Sequence, residues 1–350
     1  MKLSVIVPVY NVEAYLAECL ECLLDQDLDA ADYEIVLVND GSADDSKRIA
    51  EQYAERYAHI VLFSQKNSGQ SVARNVGVSK AKGDFLYFID SDDYIERKSL
   101  GKILAFMERN DLDFCGFASK RTPDRNASGV PDWRGLEKEP EVLTGLQLIA
   151  EYGYNNGVWW YIFKKDILER NGIFFEPETR VEDGPFTTNL LIHTDRAVFL
   201  PVQLYYYYIN RHSIIETTDR TICQKISEGM LVAVKRFTPL IETAKERGAN
   251  AAVLRRLKIR QESYVFFFVL REIRIGTPFE KIKERLLTIR KETSAWPLVL
   301  FSKEEYGELR FKVLTTVVNH LFLLRIACAV YNFLKPLFLR AGPEERLPPS

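Results

Sequence analysis

Apolar and polar positions alternate between two rhythms through the first third of the chain. Residues 3–8 are a short β-branched run. Behind them Val12, Tyr15, Leu16, Cys19, Leu20, Leu23 and Leu24 recur at the three-and-four spacing of a helix with one buried face, and Asn11 stands where it can cap that helix. Residues 34–39 read as a second strand, and Ser42-Ala43-Asp44-Asp45 has capping-box form, opening a helix with Ile49, Tyr53 and Tyr57 on one stripe. A third strand is expected over 60–63. After Asn67-Ser68-Gly69 comes a helix rich in small residues (Ser71, Ala73, Gly77, Ala81) that can lie close against its neighbours. The strongest strand signal is last: Phe85-Leu86-Tyr87-Phe88-Ile89, bounded by Gly83 and by acids, is the pattern of a strand buried on both faces. This alternation implies an α/β fold with a parallel, doubly wound sheet and right-handed crossovers.

The pattern then loosens. Residues 111–117 suit a further strand, and 119–140, rich in charge, Pro and Gly, read as a long loop or hairpin excursion. Residues 157–165 are mostly apolar, and core packing outweighs an exposed role for Trp159 and Trp160 there. Residues 200–209, with Tyr205 to Tyr208, are expected as a strand. From residue 218 the rhythm is helical, over 222–245, 251–275, 279–291 and 306–339. The stretch 313–339 is the most apolar, broken by Asn319, His320, Arg325, Asn332 and Lys335. It has no uninterrupted apolar run of ~20 residues, so it is not a clean membrane span. An amphipathic helix on the inner membrane face, a docked bundle helix and a homodimer contact all fit it. Residues 341–350 are expected to be a frayed tail.

Composition narrows the class. The 350 residues allow one large or two ordinary domains, and 47 Lys plus Arg against 49 Asp plus Glu give no bias toward nucleic acid. The cysteines (Cys19, Cys22, Cys115, Cys223, Cys328) are scattered and odd in number, which fits buried thiols in a reducing compartment better than a metal or redox centre. No charged-then-apolar leader precedes the first strand, so a cytoplasmic setting is expected. There is no G-x-G-x-x-G, no Walker motif, no EF-hand loop after Asp90 and no His/Cys cluster of zinc type.

The candidate chemistry lies at the strand ends. Asp90, Asp92 and Asp93 follow the fourth strand, where open α/β sheets bind ligands. Taken alone, they are more readily a solvated acidic turn. Close carboxylates repel one another unless a hard cation such as Mg²⁺ or Mn²⁺ sits among them, and such ions are usually shared with substrate phosphates. Three further loops stand beside this one: Pro8-Val9-Tyr10-Asn11, Asn39-Asp40-Gly41-Ser42 and Asn67-Ser68-Gly69-Gln70. An aromatic ring (Tyr10), a lone acid (Asp40), a cation (Arg74) and an acid cluster suit a nucleoside diphosphate.

Together these loops, with Ala73-Arg74-Asn75-Val76-Gly77 and Phe88-Ile89-Asp90-Ser91-Asp92-Asp93, resemble the family 2 glycosyltransferases over roughly residues 1–100. The resemblance implies a GT-A fold and an inverting transfer from a nucleotide-diphospho sugar. By it, Tyr10 and Asp40 contact the base, Arg74 the base or phosphates, Asp90 the ribose or sugar, and Asp92 the divalent metal. Pro8, Asn11 and Ser91 belong to the same donor site. Asn39, Gln70 and Val72 depart from commoner residues of the family.

Downstream, Val181-Glu182-Asp183-Gly184 precedes an apolar helix-like run, where adjacent acids can simply complement a helix N-terminus. Inverting transfer, however, needs a carboxylate to take the acceptor proton. The family's Glu-Asp motif falls here, which implies Asp183 as base with Glu182 nearby in the acceptor site; a Trp at the edge of its apolar run, Trp159, could stack on the acceptor sugar, although core packing outweighs that contact. The tyrosine-rich strand followed by Arg and Ser is similar to the segment that closes many bacterial members of the family, which implies Arg211 as a second phosphate contact, with a surface or structural arginine as the alternative. The chain is thus expected to divide into a GT-A domain (1–215, with donor half 1–117 and acceptor half 118–215), a helical region (216–340) and a tail. The expected partners are a UDP-sugar and a saccharide or lipid-linked saccharide acceptor of surface polysaccharide assembly. A nucleotide-sugar-binding homologue without turnover and a metal-dependent nucleotidyl or phosphoryl transferase are the alternatives.

Overall fold

Strand β1 (Leu3–Val9) is buried along its whole length. It pairs in parallel with β2 (Tyr33–Asn39) on one side and β4 (Phe85–Phe88) on the other, and β2 pairs in parallel with β3 (Ile60–Ser64). Strands covered on both faces need no polar alternate positions, which is why β1, β2 and β4 are almost wholly apolar; Ser4 and Glu34, buried on β1 and β2, satisfy each other by a hydrogen bond of 2.7 Å. The connections are α1 (Leu16–Leu24), α2 (Ser46–Arg56) and α3 (Gln70–Lys80). Helix α3 packs on β1 and β2. Gly77 permits that approach, since a Cβ there would lie 2.3 Å from Ile6 Cγ2.

This computed structural model describes residues 1–340 apart from 126–128, 130, 137–139, 178, 210–218 and 304–305. Beyond β4 the strand directions mix. β5 (Tyr94–Ile95) is followed by α4 (Leu100–Arg109), β6 (Phe114–Thr122), α5 (Gly145–Tyr152), β7 (Tyr161–Lys164), α6 (Asp166–Asn171), α7 (Asp183–Ile192) and β8 (Ala197–Tyr208). β7 lies antiparallel to β4 and β6, β8 runs parallel to β6, and β5 is antiparallel to β8. The sheet order is β3-β2-β1-β4-β7-β6-β8-β5, so the parallel, doubly wound part is the first four strands and the other half is mixed. The excursion after β6 starts later than expected, because residues 119–122 remain paired with β8. All five cysteines are buried, and none of them is in a disulfide.

Two helix starts differ from the sequence reading. α1 begins at Leu16, and Asn11 does not cap it: Asn11 adopts φ 52°, and its carboxamide oxygen accepts from Ala43 N at 2.8 Å. α2 begins at Ser46 with no side-chain cap from Asp45, and Ser42 Oγ instead accepts from Asn11 N at 3.2 Å. Both residues have the right chemistry for a cap. The neighbouring loop takes it.

The chain divides into two compact units, Met1–Glu216 with Thr243–Val253, and Thr217–Glu242 with Leu254–Ser350. The helices from residue 220 on are α8 (Arg220–Glu246), α9 (Ala251–Ile275), α10 (Phe279–Thr293), α11 (Leu309–Asn319) and α12 (Leu321–Arg340). In the second unit the buried Glu262 carboxylate accepts from the backbone of Val299, Leu300 and Phe301, holding the turn after α10. The single helix expected over 306–339 is two helices, bent by 107°. Neither Pro nor Gly breaks it. Asn319 is bonded both ways to the Leu298 backbone at 2.8 Å, and His320 is extended, so the end of α11 is captured by the preceding turn.

Candidate active site

Val9 pairs with Asn39, Asn39 with Ser64, and Ile6 with Phe88, so the loops leaving the four parallel strands share one edge of the sheet. The chain runs from β1 outward through β2 to β3 and then returns to β4 on the other side of β1. That is the switch point at which open α/β sheets bind ligands.

Two of the loops are stitched together. Besides the Asn11 bonds, Val12 N donates to Ser46 Oγ, Glu13 N to Asp44 Oδ2, and Asp45 N to Glu13 Oε2, at 2.8 to 3.0 Å. Tyr10 stands at this edge about half exposed, whereas Pro8 is buried in β1. Asp40 is 3% exposed and fixes the third loop, accepting from Gln65 Nε2 and Ser68 N at Oδ1 and from Gly69 N at Oδ2, each at 2.8 Å. Gly41 lets the two loops meet, with φ 71° and a Cβ position only 2.8 Å from Asn67 N.

The centre of the site is Arg74, on α3 and 1% exposed. Its Nη1 donates to Asp183 Oδ1 at 2.6 Å and to Glu182 Oε1 at 3.2 Å, and its Nη2 to Asp90 Oδ1 at 2.8 Å. Gln70, one turn earlier, donates to the same Asp90 oxygen at 2.9 Å. The guanidinium lies 5.3 Å from the Phe175 ring, which stacks on Phe186 at 3.8 Å while Phe88 meets both edge-on. Asn75 holds that floor by a reciprocal pair of bonds to the Phe175 backbone. Asp183 opens α7 with its carboxylate partly exposed, and Glu182 is buried behind it.

One guanidinium cannot neutralise three carboxylates. Burial is the main force pushing Glu182 up to about 7, with Asp183 adding to it and Arg74 opposing. Burial likewise pushes Asp183 up to about 6 against the pull of Arg74, and Asp90 adds to the rise. Burial also works against the charge on Arg74, but Asp183, Asp90 and Glu182 outweigh it and hold the guanidinium firmly protonated.

The acidic loop divides its labour. Asp93 is 2% exposed and faces inward, accepting from Tyr205 Oη and from Tyr208 N, so it ties the end of β8 to the loop. Asp92 is only partly covered; burial and the nearby Asp90 push its carboxyl up to about 6. A hard oxygen donor short of counter-charge suits a divalent cation, although among the described residues no group of three or more acids, His or Cys forms a ready-made cage. Ser91, between Asp90 and Asp92, is buried.

The structure thus brings Arg74, Asp90, Glu182 and Asp183 into one cluster, with Tyr10, Asn11, Asp40 and Asp92 on loops of the same edge. It gives Arg74 carboxylate partners rather than an open approach to a ligand. Trp159 is 9% exposed and stacks on Tyr205 at 4.4 Å, in the core that its apolar run favoured. Arg211 lies outside the described residues. The sequence reading placed Gln70 in a loop of this edge but not its bond to Asp90, and it missed the Phe175–Phe186 floor, for which the apolar triplet Ile173-Phe174-Phe175 before Pro177 was the available signal.

Residues 4–167 match the profile described as Glycosyl transferase family 2. This segment is a family 2 glycosyltransferase domain of GT-A fold. The chain is 37% identical over 218 residues to an uncharacterized glycosyltransferase, EpsJ, of Bacillus subtilis, which covers 61% of the chain and 62% of the relative. It is 34% identical over 260 residues to TarS of Staphylococcus aureus, a poly(ribitol-phosphate) β-N-acetylglucosaminyltransferase, covering 73% of the chain and 44% of TarS. The chain therefore spans under two thirds of these relatives. The crystal structure of TarS 1–349 in complex with UDP-GlcNAc superposes with a TM-score of 0.58 at 23% identity, over 83% of this chain and 91% of that one. The mannosyltransferase PcManGT of Pyrobaculum calidifontis, solved with GDP-Man and Mn²⁺, gives 0.51 at 17%, over 95% and 87%. Both likenesses carry the fold, a mixed α/β sheet with helices following it.

Proposed function

We propose that the chain transfers a sugar from a nucleotide-diphospho sugar, UDP-linked by preference, to an acceptor hydroxyl with inversion. Residues 1–215 form the catalytic domain in this reading, and 216–340 an accessory helical region. The observation that carries it is the Arg74 cluster: one buried cation joins Asp90 of the acidic donor loop to Asp183 at the start of α7. Asp183 is partly exposed and poised near neutrality, as a base that must accept a hydroxyl proton requires. Arg74 fixes its orientation, so that hydroxyl and anomeric carbon meet in line. Tyr10 offers a ring for the base, and Asp40 Oδ2, with one bond taken, keeps acceptor capacity for an imide N–H. Asp92 would hold a divalent cation, Mn²⁺ or Mg²⁺, whose chemistry when bound is to neutralise charge on the departing diphosphate. The UDP preference and a saccharide or lipid-linked saccharide acceptor in surface polysaccharide synthesis draw support from TarS, which is named for poly(ribitol-phosphate) modification and was solved with UDP-GlcNAc.

The test is a thermal-shift panel of UDP, GDP, dTDP and CMP with and without Mn²⁺, on the wild type and Asp92→Ala, followed by product analysis with the matching sugars. At a ligand excess of ~100 Kd, stabilisation of about 2.7 kcal/mol is expected for the true nucleotide. A manganese-dependent shift lost in Asp92→Ala, with nucleoside diphosphate as product, supports the reading. Release of pyrophosphate or phosphate instead would point to nucleotidyl or phosphoryl transfer, and absence of any shift would sink the donor site.

A further inference from the structure

Helix α12 docks by one face only. Leu324 and Cys328 are buried, and Tyr331 Oη donates to Arg274 O at 3.2 Å. Phe322, Ile326, Val330 and Phe333 recur at the four, four and three spacing of a single helical stripe on the opposite side, and all are exposed, Phe322 by 74% and Phe333 by 79%. Large apolar side chains in a continuous exposed stripe call for a partner surface. Helix α11 repeats the arrangement: Leu309 and Val313 are exposed, flanked by Arg310 and Lys312.

Charge says what kind of partner. From Leu309 to Arg340 the sequence carries Arg310, Lys312, Arg325, Lys335 and Arg340 and not one Asp or Glu, in a chain where acids outnumber these bases 49 to 47. On α12 the exposed Arg325 borders the apolar stripe. A second copy of this same surface would set cations against cations. An anionic bilayer offers hydrocarbon for the stripe and headgroup charge for its rim. No single helix among the described residues is long and apolar enough to cross a membrane, and α11 with α12 is a bent pair. From the exposed stripe and its basic rim we infer that α11 and α12 are an interfacial anchor, binding the surface of a membrane rich in anionic lipid without spanning it.

The test is co-sedimentation of the full chain with vesicles of phosphatidylcholine alone and of phosphatidylcholine with phosphatidylglycerol. The chain should bind the anionic vesicles and lose affinity as salt rises. The double variant Phe322→Ser/Phe333→Ser should weaken binding by more than tenfold, since each ring buried in the interface is worth about tenfold or more. Arg325→Gln should cost roughly fivefold on anionic vesicles only. The variants alter exposed positions, and an unchanged thermal midpoint verifies their fold. Binding untouched by the double variant would overturn the inference. So would a concentration-dependent dimer that this variant dissolves without any vesicle binding in the wild type. Vesicle binding is read without turnover, so its failure and a failure of the glycosyl-transfer reading are separate results.

Discussion

Arg74 Nη1 lies 2.6 Å from Asp183 Oδ1, and the other arm of the same guanidinium lies 2.8 Å from Asp90. The proposed base at the start of α7 and an acid of the loop after β4 are thus held by a single planar fork over an aromatic floor. Arg74→Met leaves three carboxylates facing one another and should cost about 3–5 kcal/mol in chemical denaturation. Arg74→Lys retains the charge but not the fork, so the fold should survive while turnover falls on the order of 10²-fold. Equal turnover in wild type and Arg74→Lys would mean that the fork orients nothing.

Asp183→Asn keeps the shape and removes the basic oxygen. The rate of transfer should drop by about 10² to 10⁴, with the UDP-induced thermal shift retained. Because burial holds Asp183 at about 6, log kcat/KM for the wild type should fall with unit slope as pH drops below about 6. A flat profile from pH 5 to 7 would remove Asp183 as the base.

Glu182 gives a stability signature of opposite sense to a salt-bridged acid. Its carboxyl sits at about 7 in the folded chain, above the ordinary value of 4.5, so the native state binds the extra proton between these limits. Its contribution is fully present below pH ~4.5 and is lost as pH rises through ~7. The neutral variant Glu182→Gln should therefore gain on the wild type as pH rises across this window, measured as the difference between their denaturation free energies. A difference independent of pH would show that Glu182 is ionised throughout.

Tyr205 serves the acidic loop from below. Its hydroxyl donates to the inward-facing Asp93, and Tyr205→Phe leaves a buried acceptor short of a partner. A loss of about 1–3 kcal/mol is expected in guanidinium titration. Metal-dependent UDP binding should weaken with it, since Asp92 is carried on the same loop.

How far the sequence reveals this molecule depends on range. β1, β2 and β4 were readable because strands covered on both faces leave nearly unbroken apolar runs, and the end of the last run placed Asp90 and Asp92 at a strand end. Asp183 emerged from family motif and chemical need, and its place at the first turn of α7 agrees with either reading of an acid there. The partners of Arg74 were not legible: Asp183 is 109 positions away, and no local pattern encodes a buried fork of that span. Asn11 and Ser42 misled because the side chains that cap a helix can equally bond a neighbouring loop. The break at His320 was hidden for the same reason, its cause being the Leu298 backbone rather than a residue that disrupts helices.

The stitching between residues 11–13 and 42–46 means that the first two loops cannot be changed one at a time. Each supplies the acceptors for the other's amides, so losing one side chain slackens both. Effects of Asn11→Ala and Ser42→Ala will be non-additive, with an interaction energy of about 0.5–3 kcal/mol in a double-mutant cycle. Variation in these loops must therefore come as paired substitutions.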